Sequence, residues 1–268
     1  MDVKIAVAYH KESPVVSHPS YLPLHVGKAM NPNVELDMQT DADGDNISAE
    51  NGYYCELTGL YWLWKNVKAD VKGLFHYRRI PDVGGLTMKQ HFKQSFHTLL
   101  HHSHVARRVV SLAEFEAVAS RTAAAIPQLL ECYDIIAAGN CRCYPNVVAS
   151  FGRIGDEYID ILRRAVTNLH PSHLEILDCT LASRKMFYAN MVVMKTPLHN
   201  EYCNFLFSTL EEVKRLLLAE RWLVNLAEER IFSRKLGYLA ELLTNSFICE
   251  QRRKSALRVK ELPIVMLK

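Results

Sequence analysis

Apolar residues alternate with small or polar residues at the start of the chain, in the two-residue period of a β-strand. Val3, Ile5 and Val7 occupy every second position, and a polar run at residues 9–13 follows and ends before Pro14. In open α/β sheets, ligands bind beyond the carboxyl ends of the strands. Residues 9–13 are therefore a candidate wall of a binding site, although an ordinary strand exit has the same composition.

The pattern then changes to helical spacing and back again. Apolar residues at i, i+3, i+4 and i+7 predict one buried helix face within residues 53–66. A short apolar run at 71–75 predicts a second strand, which leads into the polar cluster 76–79 and stops at Pro81. Both predicted strands therefore end in polar side chains. The residues of the helix face are Leu57, Leu60, Tyr61 and Trp64.

The rest of the chain continues to alternate between the two-residue spacing of a strand and the three- to four-residue spacing of a helix. The later elements predicted from spacing are a helix over 111–132, a strand over 133–138, a helix around 158–166, a long strand over 187–194 and helices over 205–226 and 236–247. We expect the remainder to be helical. Strands alternating with helices through the first two thirds predict an α/β fold with a βαβ-type sheet. Because no repeat or linker interrupts the pattern, residues 1–268 are predicted to form a single domain.

Composition and charge narrow the class of protein. The 268 residues are 49% hydrophobic and 23% charged, which excludes a disordered or collagen-like chain. The net charge of +3 is too small to predict a basic face, so we expect no nucleic-acid partner. No run approaches the roughly 18 apolar residues of a membrane span. The amino terminus has the pattern of a strand and not of a signal sequence, so we expect a cytoplasmic protein.

Cysteine and histidine form no recognised metal motif. The seven cysteines are scattered, which predicts reduced thiols, and Cys141 and Cys143 are too close for a zinc knuckle. Histidines crowd the segment 89–104, but no carboxylate accompanies His97 and His101 in an HExxH arrangement. We interpret this segment as a solvated helix or a flexible flap.

Two of the polar clusters have side chains suited to a nucleotide. Arg78 and Arg79 follow a predicted strand, where forked guanidinium groups can grip a diphosphate, although a pair of surface ion pairs is the alternative. Asp41, Asp43 and Asp45 resemble both a turn and a divalent-metal loop, but the later glutamate of an EF-hand is missing. The chain has no GxGxxG, GxxxxGKS or GxSxG motif, which argues against dinucleotide-binding, P-loop and α/β-hydrolase enzymes.

A series of motifs resembles the successive motifs of one bacterial family. In the first eighty residues these are Ala8-Tyr9-His10-Lys11, His25-Val26-Gly27, Gly44-Asp45-Asn46-Ile47-Ser48, Tyr54-Cys55-Glu56-Leu57-Thr58, Tyr61-Trp62-Leu63-Trp64-Lys65-Asn66 and Gly73-Leu74-Phe75-His76-Tyr77-Arg78-Arg79. Asn190-Met191 and residues 237–243 are similar to its C-terminal motifs. The family is the domain-of-unknown-function 4422 group of capsular and exopolysaccharide glycosyltransferases. The histidine-rich segment 89–104 departs from its pattern.

The resemblance implies a fold and an activity. The fold is a GT-A-like nucleotide-binding α/β sandwich with a central, mostly parallel sheet and a helical C-terminal part. Residues 1–140 form the donor-nucleotide half and residues 141–268 the acceptor half. The implied enzyme moves a hexose, such as galactose in pyranose or furanose form, from a UDP-sugar to a capsular, exopolysaccharide or O-antigen precursor. The alternative is a non-catalytic nucleotide-sugar or glycan-binding protein on the same fold.

The resemblance also suggests roles for individual residues. The donor-binding candidates are Tyr9, His10, Lys11, Asp45, Asn46, His76, Arg78 and Arg79. The catalytic candidates are Glu241, which we favour as the base, Asp134 and Glu56, and the acceptor-binding candidates are Tyr188 and Asn190. We expect Arg78 and Arg79 to neutralise the diphosphate, and the alternative is Mn²⁺ or Mg²⁺ held by Asp43 and Asp45. Trp62 or Trp64 would stack on a sugar or, as their spacing favours, pack in the core.

The basic C-terminal segment suggests a place of action. Its cations are compatible with anionic lipid headgroups, which would suit a lipid-linked glycan acceptor at the inner face of the plasma membrane. A solvated tail is the alternative. These cations are Arg252, Arg253, Lys254, Arg258 and Lys260.

Overall fold

The computed structural model describes residues 1–85, 103–105, 107–139, 141–150, 154–220, 234–255 and 257–268. The strands are β1 (Val3–Tyr9), β2 (Tyr21–His25), β3 (Gln39–Thr40), β4 (Val71–His76), β5 (Arg79–Pro81), β6 (Ser103–Val105), β7 (Arg107–Val110), β8 (Ile135–Ala138), β9 (Cys141–Cys143), β10 (Lys185–Met186), β11 (Val192–Lys195), β12 (Val259–Leu262) and β13 (Ile264–Leu267). The histidine-rich segment falls almost entirely outside the described residues, and so do residues 221–226 of the helix predicted over 205–226.

Helices alternate with these strands. The α-helices are α1 (Asn51–Tyr54), α2 (Leu57–Asn66), α3 (Leu112–Cys132), α4 (Val147–Ser150), α5 (Asp156–Leu169), α6 (Leu174–Ala182), α7 (Thr196–Ala219) and α8 (Lys235–Ser255). Short 3-10 turns cover Ser48–Glu50 and Pro171–His173. Ser111 begins α3 by accepting a hydrogen bond from the Glu114 amide, as a residue at a helix N-terminus should.

One large sheet organises the described part of the chain. Its main order is β12-β8-β11-β4-β1-β2-β3, and β5, β7 and β13 extend it beside β4. The neighbours β4, β1, β2 and β3 are parallel, as are β8 and β12, whereas β11 runs antiparallel to both β4 and β8. A second sheet has the order β10-β9-β6. The predicted α/β sandwich with a mostly parallel central sheet is confirmed.

The two faces of the large sheet are each covered by a hydrophobic core. On one face, helices α2, α5, α7 and α8 pack around residues such as Leu60, Leu162 and Leu206. On the other face, α3 contributes Phe115 and Ile126 to a core with the alternate residues of β1. Burial on both faces explains why the central strands are almost continuously apolar.

The strand directions place several loops at one edge of the sheet. The parallel strands β1, β2, β3 and β4 all end there, at Tyr9, His25, Thr40 and His76. Because β11 runs antiparallel to β4, the residues just before β11 lie beside the carboxyl end of β4. We call this side of the molecule the carboxyl edge.

Three sequence-based assignments of structure were wrong in part. The predicted strand over 187–194 begins only at β11, because Ala189 and Asn190 have φ angles of 62° and 54° and form a turn. The helix predicted over 53–66 is broken at Cys55, where φ is 53°. The C-terminal residues form β12 and β13, since β8, β5 and β7 offer them backbone partners that spacing along the chain does not reveal.

Both halves of the chain share the large sheet. β11 and β12, from the predicted acceptor half, pair with β4 and β8 of the predicted donor half. The division into halves at residue 140 therefore stays a prediction about ligands and does not correspond to a boundary in the sheet.

Candidate active site

A group of polar side chains meets at the carboxyl edge. His10 follows β1 and His76 ends β4, while Glu56 directly precedes α2. Glu241 lies on α8, within the motif that the sequence singled out. The turn before β11 joins His76, Glu56 and Glu241 through hydrogen bonds, and His10 lies close enough to His76 to feel its charge.

A strained turn at residues 188–191 is the centre of this cluster. Ala189 and Asn190 both have the positive φ angles that non-glycine residues rarely adopt, and the Met191 amide lies 3.5 Å from the Tyr188 carbonyl oxygen. The Ala189 amide donates to Glu241 Oε2 at 3.0 Å, and its carbonyl accepts from His76 Nε2 at 3.0 Å. The strand β4, helix α8 and the turn are thereby tied together.

The side chain of Asn190 extends the same network. Its Nδ2 donates to Glu56 Oε1 at 3.1 Å and to the Gly237 carbonyl oxygen at 3.2 Å. Its Oδ1 lies 3.3 Å from Thr244 Oγ1. Asn190 is 2% exposed, so this predicted acceptor-binding residue acts within the protein as a link between Glu56 and α8.

The hydrogen bond to Ala189 determines the tautomer of His76. Because a carbonyl oxygen only accepts, Nε2 carries the proton and Nδ1 has a free lone pair. Burial lowers the pKa of His76, while Glu56, whose Oε1 is 3.9 Å from Nε2, raises it. His76 is therefore neutral at pH 7, and its Nδ1 accepts no hydrogen bond from the described residues.

The two glutamates have different environments. Burial raises the pKa of Glu241 to about 8, the Ala189 amide opposes this shift, and the charge of Glu56 adds to it. Glu241 is therefore mainly protonated at pH 7. The Glu56 side chain is 16% exposed, and its Oε1 receives the Asn190 amide.

Cationic side chains lie close to the histidines of the cluster. Arg78 is exposed with its guanidinium 5.5 Å from the Tyr77 ring, and Arg79 is half-buried at 5.6 Å from the Tyr188 ring. Neither arginine forms an ion pair with a carboxylate of the described residues, and nor does Lys11. Arginines without an acidic partner are available to bind an anion.

His10 connects these cations to β1. Its exposed ring packs edge-on against Tyr77 with centroids 5.2 Å apart. Partial burial, followed by the nearby charges of Lys11, Arg234 and Arg78, lowers the pKa of His10. Each of these cations therefore lies close enough to act on the same small region.

Arg234 is a member of the site that sequence reasoning missed. It precedes α8 with a φ of 87°, its amide donates to the Gly52 carbonyl at 2.8 Å, and its guanidinium bonds the Cys55 thiol. Its charge lowers the pKa of both His10 and His76. The signal in the sequence was the interruption of the helical pattern at Arg234, Lys235 and Gly237, which alone does not indicate a position at the carboxyl edge.

The aspartate loop lies apart from this cluster. Asp43 accepts from Gln39 Nε2 at 2.9 Å and Thr40 Oγ1 at 3.1 Å, and Asp45 accepts from Tyr61 at 3.2 Å. The Asp45 backbone bonds Asn66, at the end of α2, whereas Glu56 precedes its start. A ten-residue helix is about 15 Å long, so a long distance separates the two places.

The remaining side chains of this loop stabilise the loop itself. Buried Asp41 accepts from the Gly27 amide at 2.9 Å and from Ser48 Oγ at 2.5 Å, and Gly27 has a φ of 74° that suits glycine. Asn46 Nδ2 donates to the carbonyls of Ala42 and Gly44, both at 2.9 Å. No group of three or more metal-ligating side chains occurs among the described residues. Metal binding by Asp43 and Asp45 stays a prediction, as does donor binding by Asp45 and Asn46.

Two further candidates also have structural partners. Asp134 precedes β8 at the edge opposite the carboxyl edge, where its Oδ2 accepts from the Arg258 amide at 2.8 Å. The structure therefore does not bring it near the other catalytic candidates. Tyr9 is fully buried, and its hydroxyl bonds the Pro14 carbonyl and the Val16 amide, both at 3.3 Å. It holds the loop after β1 from inside the protein.

The tryptophans and the basic C-terminal residues also lie outside the cluster. Trp62 is buried with its Nε1 bonded to the Asp43 carbonyl, and Trp64 stacks on Phe207, so both pack in the protein. Arg252 and Lys254 pair with glutamates of the same chain. Within the described ranges, no helix combines the length and apolar character that crossing a membrane requires.

Comparison with known proteins identifies the family. The family model described as "Domain of unknown function (DUF4422)" matches residues 4–252. The chain belongs to this family. No curated protein matches the sequence. Among solved structures, the apo structure of WbbM, a bifunctional glycosyltransferase, is similar with a TM-score of 0.80 and 27% identity. The match covers 100% of this chain and 46% of that one, so the chain spans about half the length of WbbM.

The geometry gives this DUF4422 member two chemical capabilities. Its cations, which have no carboxylate partner among the residues that the structure describes, can bind an anion such as a phosphate. A half-buried carboxylate beside them can accept a hydrogen bond from a hydroxyl group. His76, next to Glu56, adds a neutral nitrogen acceptor. A site with these parts can bind a phosphorylated sugar.

Proposed function

We propose that the chain is a glycosyltransferase that moves a sugar from a nucleotide donor to a glycan acceptor. The observation that carries the proposal is the set of cations at the carboxyl edge that have no acidic partner among the described residues, next to the carboxylate of Glu56. The similarity to WbbM over the full length of the chain supports the same reaction class.

The donor would bind through its diphosphate. In the proposed arrangement, Arg78, Arg79 and Arg234 contact the phosphate oxygens, and His10 and Lys11 extend the positive region toward β1. Fixed cations stabilise the charge that develops on a leaving diphosphate without reorganising during the reaction. We favour this arrangement over Mn²⁺ or Mg²⁺ on Asp43 and Asp45, because those carboxylates already accept hydrogen bonds at the far end of α2.

The acceptor would lie on the side of the 188–191 turn. In the proposed arrangement Tyr188, which is half-buried beside Arg79, contacts a sugar ring, whereas buried Asn190 supports the turn through its hydrogen bonds. By resemblance to the family, we propose UDP as the nucleotide, a hexose such as galactose as the sugar, and a lipid-linked precursor of a capsule, exopolysaccharide or O-antigen as the acceptor. The reaction would then take place in the cytoplasm, at the inner face of the membrane.

The first experiment is a thermal-shift screen of the protein against UDP, GDP, CMP and common nucleotide sugars, with Mn²⁺ or with EDTA. A ligand that binds only the folded state raises its stability. We expect stabilisation by a UDP-sugar that persists in EDTA, followed by release of UDP when an acceptor glycan is added. Stabilisation that EDTA removes would favour the aspartate loop instead.

Two other outcomes decide against the proposal. Binding of a nucleotide sugar with neither transfer nor hydrolysis would indicate the non-catalytic binding protein. Absence of a shift with every nucleotide at millimolar concentration would refute the donor site. Arg78→Gln should reduce the stabilisation that the UDP-sugar gives. Arg215→Gln is the matched control, because Arg215 pairs with Glu212 on the exposed surface of α7, far along the chain from the cluster.

A further inference from the structure

The two glutamates of the site have separate tasks. We infer that Glu56 binds the acceptor hydroxyl and takes its proton, and that Glu241 is a positioning residue that holds the 188–191 turn on which Glu56 depends. This inference rests on the proposed glycosyl transfer, and it reverses the expectation from sequence that Glu241 is the base.

The turn depends on hydrogen bonds from other parts of the chain. Positive φ angles at two successive non-glycine residues are unfavourable, so the conformation persists only where its surroundings impose it. Here three hydrogen bonds from other residues impose it. Glu241 binds the Ala189 amide, His76 binds the Ala189 carbonyl, and the Gly237 carbonyl binds the Asn190 side chain.

Glu241 has the wrong location and protonation state for a base. The residue is 8% exposed, and its Oε2 is already bonded to the Ala189 amide. The charged and titratable groups around it are Glu56, Arg79 and Cys143, of which only Arg79 favours the ionised form. Burial dominates and raises its pKa to about 8, so the carboxyl group keeps its proton at pH 7. A protonated acid can accept the Ala189 hydrogen bond but cannot accept another proton.

Glu56 has the features that Glu241 lacks. Its side chain is 16% exposed, Oε1 is fixed by Asn190, and Oε2 accepts no hydrogen bond from the described residues. It also lies beside His76 and within the influence of Arg234, next to the proposed diphosphate site. In the proposed step, the acceptor oxygen forms a bond to the anomeric carbon as Glu56 takes its proton. The bond from that carbon to the diphosphate breaks, and the electron pair leaves with UDP.

Asn190 links the two glutamates through hydrogen bonds and its own backbone. One amide nitrogen bonds both Glu56 Oε1 and the Gly237 carbonyl of α8. Its backbone continues directly from Ala189, which Glu241 holds. Loss of the Glu241 bond would therefore let the turn relax and move the group that orients Glu56.

Steady-state kinetics of three variants test the division of tasks. Glu56→Gln keeps the hydrogen bond to Asn190 but cannot take a proton, so we expect kcat to fall about 100-fold or more with UDP affinity retained. Glu241→Ala should lower kcat about tenfold, and Glu241→Gln, which can still accept from Ala189, should restore most of the loss. Glu50→Gln is the matched control, because Glu50 pairs with Lys214 before α1. Equal losses in Glu241→Gln and Glu56→Gln would overturn the inference.

A stability measurement decides the same point without turnover. Because the pKa of Glu241 in the folded protein, about 8, lies above its unfolded value of 4.5, the wild type loses stability as the pH rises from about 4.5 to 8, and Glu241→Gln escapes this loss. The urea midpoint of Glu241→Gln relative to wild type should therefore be higher at pH 9 than at pH 6. A difference that does not change with pH would show an ionised Glu241, able to act as a base, and would overturn the division of tasks between the two glutamates. Failure of every donor to react in the wild type would instead refute the proposed function.

Discussion

A buried histidine outside the site makes the most quantitative prediction about this protein. His199 lies on α7, fully buried, with its Nδ1 3.5 Å from the Cys203 thiol one helical turn away. The pKa of His199 is lowered to about 3, mainly by burial and secondly by the positive charge of Lys72. The unfolded chain has the ordinary value of 6.5, so acid protonates the unfolded state first.

The size of the effect follows from linkage between protonation and folding. Because the folded pKa is below the unfolded pKa, the contribution of His199 is complete above pH 6.5 and is lost as the pH falls toward 3. Each pH unit in this window removes about 1.4 kcal/mol. Between pH 7 and pH 5, His199 alone should therefore lower the free energy of unfolding by about 2 kcal/mol.

Urea unfolding at pH 7 and pH 5 measures this contribution. The loss of stability between the two pH values should be about 2 kcal/mol smaller in His199→Gln than in the wild type, whatever the variant does to stability at pH 7. His199→Leu provides a second non-titrating side chain if glutamine prevents folding. His18→Gln, in the half-exposed loop before β2, is the control. An unchanged pH dependence in both His199 variants would refute the argument from burial.

Three other predictions concern the site and the core. Arg79→Gln should weaken UDP binding about 10- to 100-fold by calorimetry, since one charge-assisted hydrogen bond is lost, and an affinity within twofold of wild type would contradict the diphosphate site. Asp82→Ala should lower the free energy of unfolding by about 1.5–3 kcal/mol, because buried Asp82 accepts hydrogen bonds from Arg108 at 3.2 Å, Arg121 at 2.9 Å and the Gly84 amide at 2.8 Å. A loss below about 0.5 kcal/mol in urea unfolding would refute this prediction. Phe115→Ala, at a fully buried position on α3, should cost about 3–5 kcal/mol through the cavity it leaves, measured in the same way, unless the core collapses around it.

The amino-acid sequence was sufficient to predict the first strands of the sheet and the edge at which their polar residues meet. The alternation of Val3, Ile5 and Val7 and the apolar run before His76 predicted two strands with polar ends, and β1 and β4 are neighbours that end together. Period-2 and period-3.6 patterns are local properties of a chain with buried faces, so they can be read without the fold. The placement of His10, His76, Arg78 and Arg79 at one edge followed from the same reasoning.

The tertiary structure alone decided which acids belong with these residues. Asp134 and Asp45 are as acidic in sequence as Glu56, but the direction of β8 places Asp134 at the opposite edge, and the length of α2 separates Asp45 from Glu56. Arg234 entered the site because α8 packs beside α1, a contact between segments about 180 residues apart in sequence. The left-handed turn at Ala189 was invisible because neither alanine nor asparagine requires it. Only hydrogen bonds from β4 and α8 impose that conformation, and with it the burial that separates Glu241 from Glu56.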